Sequence, residues 1–235
     1  MKKYYSLLVV VLLFVGCKTQ QTSVANQSVS ENKSLNYLAL GDSYTIGESV
    51  CESCSFPIQL MAKIAEDYNA KVNLEVIAKT GWTTSNLIQA IKDEKPTANF
   101  DLVTLLIGVN NQYQGKDFSL YEEDFPALLQ KAIQLASGDI KKVIVVSIPD
   151  YAYTPFGQQK GNTEMISSEI DAYNVFAKRT AERAGVSFVN ITDISRLGLK
   201  NETLVASDGL HPSKEAYSSF VTQILFEIRQ KNYIK

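Results

Sequence analysis

The chain has 235 residues, 45% of them hydrophobic and 20% charged, with 23 basic against 25 acidic side chains and a formal net charge of -2. That is enough chain to bury one full hydrophobic core. The near-neutral balance, with no basic run, speaks against nucleic acid as a partner, and a single histidine excludes the multi-histidine zinc sites.

In chain order, the N-terminus comes first. Met1-Lys2-Lys3 is a positive start, and Leu7 to Val15 is an apolar run too short to span a bilayer. Residues 1–16 are therefore expected to be a secretory signal peptide. The run ends in Phe14-Val15-Gly16-Cys17, which resembles a bacterial lipobox, although leucine is commoner where Phe14 stands. On that reading Cys17 is lipidated and becomes the new N-terminus; a plain signal peptide cut nearby is the alternative. Residues 17–34, polar and rich in Ser, Gln and Asn, read as a flexible tether. The expectation is a protein of the bacterial cell envelope, facing the periplasm and touching the membrane only through acyl chains.

Residues 35–235 read as one domain, with no internal repeat and no second linker. Expected strands are Tyr37–Leu40, Val72–Ala78, Leu102–Ile107, Val143–Ile148 and Val186–Ile191, several of them β-branched and nearly continuous, as expected for strands buried on both faces. Helical stripes lie between and after them. They are Met61, Ile64, Ala65 and Tyr68; then Phe125, Leu128, Leu129, Ala132 and Ile133; then Ile166, Ile170, Tyr173, Ala177 and Ala181, closed by Gly185; then Tyr217, Phe220, Val221, Ile224 and Ile228. Strand–helix alternation predicts an α/β sandwich with a parallel sheet. With Cys17 assigned to lipid, Cys51 and Cys54 remain in an oxidising compartment. They fit a small structural disulfide or two free thiols better than a redox motif, because they fall in a loop before Pro57.

In such folds ligands bind at the carboxyl ends of the strands. The residues there are Gly41-Asp42-Ser43-Tyr44, Thr80-Gly81-Trp82-Thr83, Gly108-Val109-Asn110-Asn111 and Pro149-Asp150-Tyr151, while Asp208-Gly209-Leu210-His211-Pro212 precedes the last helix. Acyl transfer needs a hydroxyl nucleophile, a base near neutral pH, a carboxylate to orient that base, and donors for an oxyanion. Ser43, His211 and Asp208 supply the first three; Gly81 and Asn110 offer donors. Singly, each motif has a plainer reading as a turn, a cap or a loop hydrogen bond. Their joint occurrence at strand ends carries the argument.

These blocks, in this order and at this wide spacing, resemble the signature blocks of the SGNH, or GDSL, hydrolases from about Asn36 to the C-terminus. The resemblance implies a flavodoxin-like three-layer α/β/α sandwich with a five-stranded parallel sheet. It implies Ser43 as nucleophile, His211 as base and Asp208 as its orienter. It also implies an oxyanion hole from the N–H groups of Ser43 and Gly81 and the Asn110 amide, with no cofactor or metal. Two positions depart from the family pattern: Tyr44 stands in place of Leu, and Asn111 in place of Asp.

Rival motifs fail. Gly-x-Ser-x-Gly and Gly-x-Gly-x-x-Gly are absent, and the Gly108–Lys116 stretch lacks both the spacing and the Ser/Thr of a phosphate loop. The expected activity is hydrolysis of short acyl esters of carbohydrate or lipid through an acyl-enzyme, the partner being a small ester substrate. Transfer of the acyl group to another alcohol, or a non-catalytic binding lipoprotein, are the alternatives. Trp82 and the aromatic loop Asp150–Phe156 could wall an acyl pocket or simply pack their loops. Oligomeric state is left open.

Overall fold

A computed structural model describes residues 1–5, 33–97 and 99–234. The apolar run, the Phe14–Cys17 stretch and most of the expected tether lie outside these. Met1–Tyr5 are irregular and exposed. Among the described residues, the sheet and the helices belong to the unit Asn32–Lys235.

The strands are β1 (Lys33–Asp42), β2 (Ala70–Lys79), β3 (Leu102–Leu106), β4 (Val143–Val146) and β5 (Ser187–Val189). The helices are α1 (Ser43–Ile46), α2 (Phe56–Tyr68), α3 (Thr84–Glu94), α4 (Val109–Tyr113), α5 (Phe118–Leu135), α6 (Pro155–Lys160), α7 (Thr163–Arg183), α8 (Thr192–Ser195) and α9 (Lys214–Lys231). The sheet has five strands in the order β2-β1-β3-β4-β5, and every pairing is parallel. Parallel neighbours need crossovers, and helices supply them. α2 and α9 pack together on one face, while α3, α5 and α7 form the layer on the other. The expected three-layer sandwich is therefore what forms.

The helical stripes explain the layers. The expected apolar residues of α5, α7 and α9 are all buried, because spacings of three and four put them on one helix face toward the sheet. In α2 the stripe is shifted: Phe56, Leu60 and Ile64 carry the buried face, and Met61 and Tyr68 only flank it. α7 ends as expected, with Gly185 just beyond it at φ 72° and its N–H donating to Glu182 O.

Strand boundaries differ from the sequence expectation, β3 ending at Leu106 and β5 covering only Ser187–Val189. Lys33 and Ser34, assigned to the tether, already pair with Ala70 and Lys71 in β1. β2 runs from Ala70 to Lys79 rather than Val72 to Ala78; it is an edge strand, and Val76 is 39% exposed. β4 stops at Val146 instead of Ile148, because the Ile148 N–H donates to the Asn174 side chain at 2.8 Å and leaves the ladder.

The order places β1 between β2 and β3, so the crossovers from β1 to β2 and from β2 to β3 run in opposite directions across the sheet. A crevice opens at that switch point beyond the strand ends. Ser43 follows β1 directly and stands there.

Candidate active site

The turn that presents Ser43 is made by its neighbours. At Gly41 a Cβ would lie 2.0 Å from Thr45 Oγ1 and 2.5 Å from Leu106 O, so only glycine lets the chain fold back so closely. Asp42 caps α1: its carboxylate accepts the Tyr44 N–H at 3.0 Å. Ser43 opens the helix, where its own N–H has no intrahelical acceptor.

The Asp208–Pro212 block comes from the far end of the chain and is braced on both sides. Val205 and Pro212 form an antiparallel bridge, and the Ala206 N–H donates to His211 O at 2.7 Å. Ser213 then caps α9 by accepting the N–H groups of Glu215 and Ala216. The structure thus brings Ser43, Asp208 and His211 together. His211 Nε2 lies 3.0 Å from Ser43 Oγ, and His211 Nδ1 lies 2.6 Å from Asp208 Oδ2.

The protons of this chain follow from Asp208. Burial works against its charge, but donors from His211, Ser49 and the N–H groups of Leu210 and His211 outweigh burial and hold its carboxyl down at about 2. An ionised carboxylate only accepts, so Nδ1 donates to it; in the neutral ring Nε2 is then the acceptor of a hydrogen bond from the Ser43 hydroxyl. The arrangement can draw a proton from a serine hydroxyl.

Gly81 sits in the turn after β2, at φ 80°, with the Trp82 N–H closing onto Lys79 O. Nothing lies within 4 Å of where its Cβ would be, so glycine serves the backbone angle and keeps the site open. Among the described residues the Gly81 N–H has no acceptor. The Asn110 amide donates to Trp82 O at 3.1 Å and, loosely, to Asp42 Oδ2 at 3.4 Å. The second contact is long for a hydrogen bond. Ser43, Gly81, Asn110 and His211 line one cleft of about 200 Å³. Asp208 stands behind His211, outside its lining.

Residues 39–218 match the family model of the GDSL-like lipase/acylhydrolases. The chain belongs to that family. It is a hydrolase.

No curated protein matches this GDSL-like hydrolase in sequence. Solved structures share its fold. A lipase/acylhydrolase from Enterococcus faecalis is 20% identical at TM-score 0.63, covering 86% of this chain and 97% of its own. An α/β hydrolase from the Lake Arreo metagenome is 16% identical at 0.63, covering 87% and 98%. An acetylxylan esterase from Geobacillus stearothermophilus is 19% identical at 0.61, covering 84% and 95%.

The two departures from the family pattern are both built in. The Tyr44 ring, buried, lies against the His211 imidazole with centroids 5.0 Å apart. Asn111 is wholly buried and clamps the start of α3: its Oδ1 accepts the Thr84 N–H at 2.9 Å, and its Nδ2 donates to Thr84 Oγ1 at 2.8 Å. Thr84 in turn donates to Asp124. This clamp ties α4, the short helix that carries Asn110, to the start of α3.

The aromatic expectation divides. Tyr151 and Phe156 line the cleft, joined by Tyr113 from α4, whose ring packs edge-on against Tyr151 and beside Phe156. Trp82 instead packs against the core, and Tyr153 faces outward at 36% exposure. Asp150 pins the aromatic loop. It is fully buried, pairs with Arg196 at 3.0 Å, and accepts from Ser167 and the Ala152 N–H. Cys51 and Cys54 are joined by a disulfide.

Several residues of the site escaped the sequence reading. Gln114 holds the Gly81 carbonyl at 2.9 Å, and Ser49 donates to Asp208 Oδ2 at 2.7 Å. Asp42, beside Ser43, is fully buried; burial raises its carboxyl to about 7, although Tyr44 N–H and Asn110 pull the other way. Gln114 and Ser49 have no motif, because each acts through a neighbour distant in sequence, and the Gly41–Tyr44 block does not announce the burial of Asp42.

Proposed function

We propose that this hydrolase cleaves short acyl esters through a covalent Ser43 intermediate. The observation that carries the reading is the unbroken chain from Ser43 Oγ to His211 Nε2 at 3.0 Å and from His211 Nδ1 to Asp208 Oδ2 at 2.6 Å. His211 takes the Ser43 proton as Oγ bonds to the ester carbonyl carbon. The carbonyl oxygen becomes an oxyanion, for which the N–H groups of Ser43 and Gly81 and the Asn110 amide are the donors. One Asn110 hydrogen swings from its 3.4 Å contact with Asp42 to do so. His211 then protonates the leaving alcohol. Water, deprotonated by the same imidazole, releases the acid and restores Ser43. Asp208 stays ionised throughout and stabilises the imidazolium.

The cleft favours small acyl groups. Its volume of about 200 Å³ lies below the usual range for drug-sized ligands, and Tyr113, Tyr151 and Phe156 line it. Aromatic faces at the mouth suit a sugar ring on the alcohol side. The likeness in fold to an acetylxylan esterase agrees with acetylated carbohydrate as substrate class. The N-terminal sequence completes the proposal. A signal peptide over residues 1–16 and lipidation of Cys17 would hold the enzyme in the bacterial envelope, where acylated glycans and lipids occur.

The test is hydrolysis of p-nitrophenyl acetate, butyrate and octanoate by the full chain, with Ser43→Ala as control. Acetate turnover that disappears in the variant is expected. Turnover that survives in Ser43→Ala would sink the assignment.

A further inference from the structure

The nine residues between α1 and α2 do more than connect two helices. Gly47 and Glu48 both donate their N–H groups to Ser43 O, each at 3.1 Å, so the segment starts on the nucleophile itself. The Glu48 carboxylate accepts the Thr80 hydroxyl. Thr80 is the residue before Gly81 and lines the cleft. The Ser49 hydroxyl donates to Asp208 Oδ2 at 2.7 Å, the same oxygen that receives the His211 Nδ1 proton. The Cys51–Cys54 disulfide then closes the segment. Gln59 of α2 ties its last turn to the block after His211, donating to Cys54 O at 2.6 Å and to Lys214 O at 3.2 Å. One short loop therefore touches the nucleophile, the oxyanion turn and the acid.

The backbone of Ser49 says that this is not incidental. It sits at φ 63°, a left-handed conformation that costs a non-glycine residue energy. Glycine would adopt it freely, yet a serine stands there with its hydroxyl on the carboxylate. Strain of this kind, beside a reacting group, is retained where the side chain has work to do.

We propose that Gly47–Cys54 is the positioning element of the reaction, with Ser49 a fourth member of the Ser43–His211–Asp208 relay and Glu48 the brace of the Gly81 turn. Ser49 fixes which Asp208 oxygen faces the imidazole, so the base is aligned before substrate arrives. Glu48 holds Thr80, and through it the peptide whose N–H faces the oxyanion. Both are positioning residues. The inference rests on the hydrolase reading above.

Ser49→Gly is the decisive variant, because it deletes the hydroxyl and relieves the backbone at the same time. With the full chain and p-nitrophenyl acetate, kcat falls by about tenfold while KM stays within about twofold, the signature of an interaction used in the chemical step. The melting temperature holds or rises, which separates positioning from folding. Glu48→Ala lowers kcat by a factor of about five. A second readout does not need turnover. His211 is the only imidazole, so its Nδ1-bound proton gives one unambiguous downfield NMR signal. That signal shifts in Ser49→Gly. A kcat for Ser49→Gly within about twofold of the parent, or an unmoved imidazole signal, overturns the proposal. A parent protein that turns over no ester, with an intact fold, instead fails the hydrolase reading itself, and the two failures are told apart by the parent alone.

Discussion

Asp208 holds His211 with both of its oxygens: Oδ1 accepts the His211 backbone N–H at 3.0 Å while Oδ2 faces the ring Nδ1 at 2.6 Å. A spacing of three residues suffices because the turn at Gly209, φ 71°, folds the imidazole back over the carboxylate. The pair is thereby assembled locally and needs only Ser43 from a distant strand end.

That assembly predicts a steep response to truncation. Ser43→Ala and His211→Ala should each lower kcat by about three orders of magnitude or more, and the double variant by little more than either alone, since relay members act as a unit. Steady-state kinetics on p-nitrophenyl acetate, at concentrations that separate kcat from KM, measure this. Additive losses in the double variant would break the relay.

Asn110→Ala should lower kcat by about a hundredfold or more, the usual loss for one oxyanion donor, with little change in KM. The same kinetics apply. A change confined to KM would move Asn110 from the transition state to substrate binding.

The buried Asp42 makes stability depend on pH. Its carboxyl is raised to about 7 from 3.8, because burial disfavours the charge. A group that holds its proton more tightly when folded contributes stability fully below its unfolded value and loses it as pH rises through its folded value. The wild type should therefore lose stability between about pH 4 and pH 8, by on the order of a few kcal/mol from this residue. Asp42→Asn lacks that window. Urea titrations of both proteins across this range should show the gap between them narrowing or reversing as pH rises; a constant gap contradicts the assignment.

Asn111→Asp restores the usual family residue and should nonetheless destabilise this protein. The Thr84 hydroxyl already donates to Asp124, so a carboxylate at 111 loses the donor that Asn111 Nδ2 supplies and buries a charge near another. A cost of about 1–3 kcal/mol is expected from denaturant melts. Equal stability would mean that the clamp on α3 is not what Asn111 provides.

Phe156→Ala should widen the cleft that Tyr113, Tyr151 and Phe156 line. The ratio of kcat/KM for octanoate to that for acetate rises, by on the order of tenfold if the added room takes the longer chain. An unchanged ratio would place the acyl group elsewhere.

The layers and the chemistry are legible along the chain. Apolar spacing dictates strand and helix, because burial on a regular backbone has only those periods, and the stripes of α5, α7 and α9 are buried as their spacing requires. The candidate site is legible too, since Ser43 directly follows a strand and Asp208 and His211, residue types that such chemistry needs, stand together just before the last helix. Linear order could not carry anything decided by one side chain meeting another across the fold. That β2 is an edge, that Phe56 and Leu60 outrank Met61, and that Tyr113 lines the cleft while Trp82 does not all depend on packing. Ser49 on Asp208 spans 159 residues, and Glu48 on Thr80 spans 32. Periodicity is local and encoded along the chain, whereas these contacts exist only once the sheet order has put the strand ends side by side.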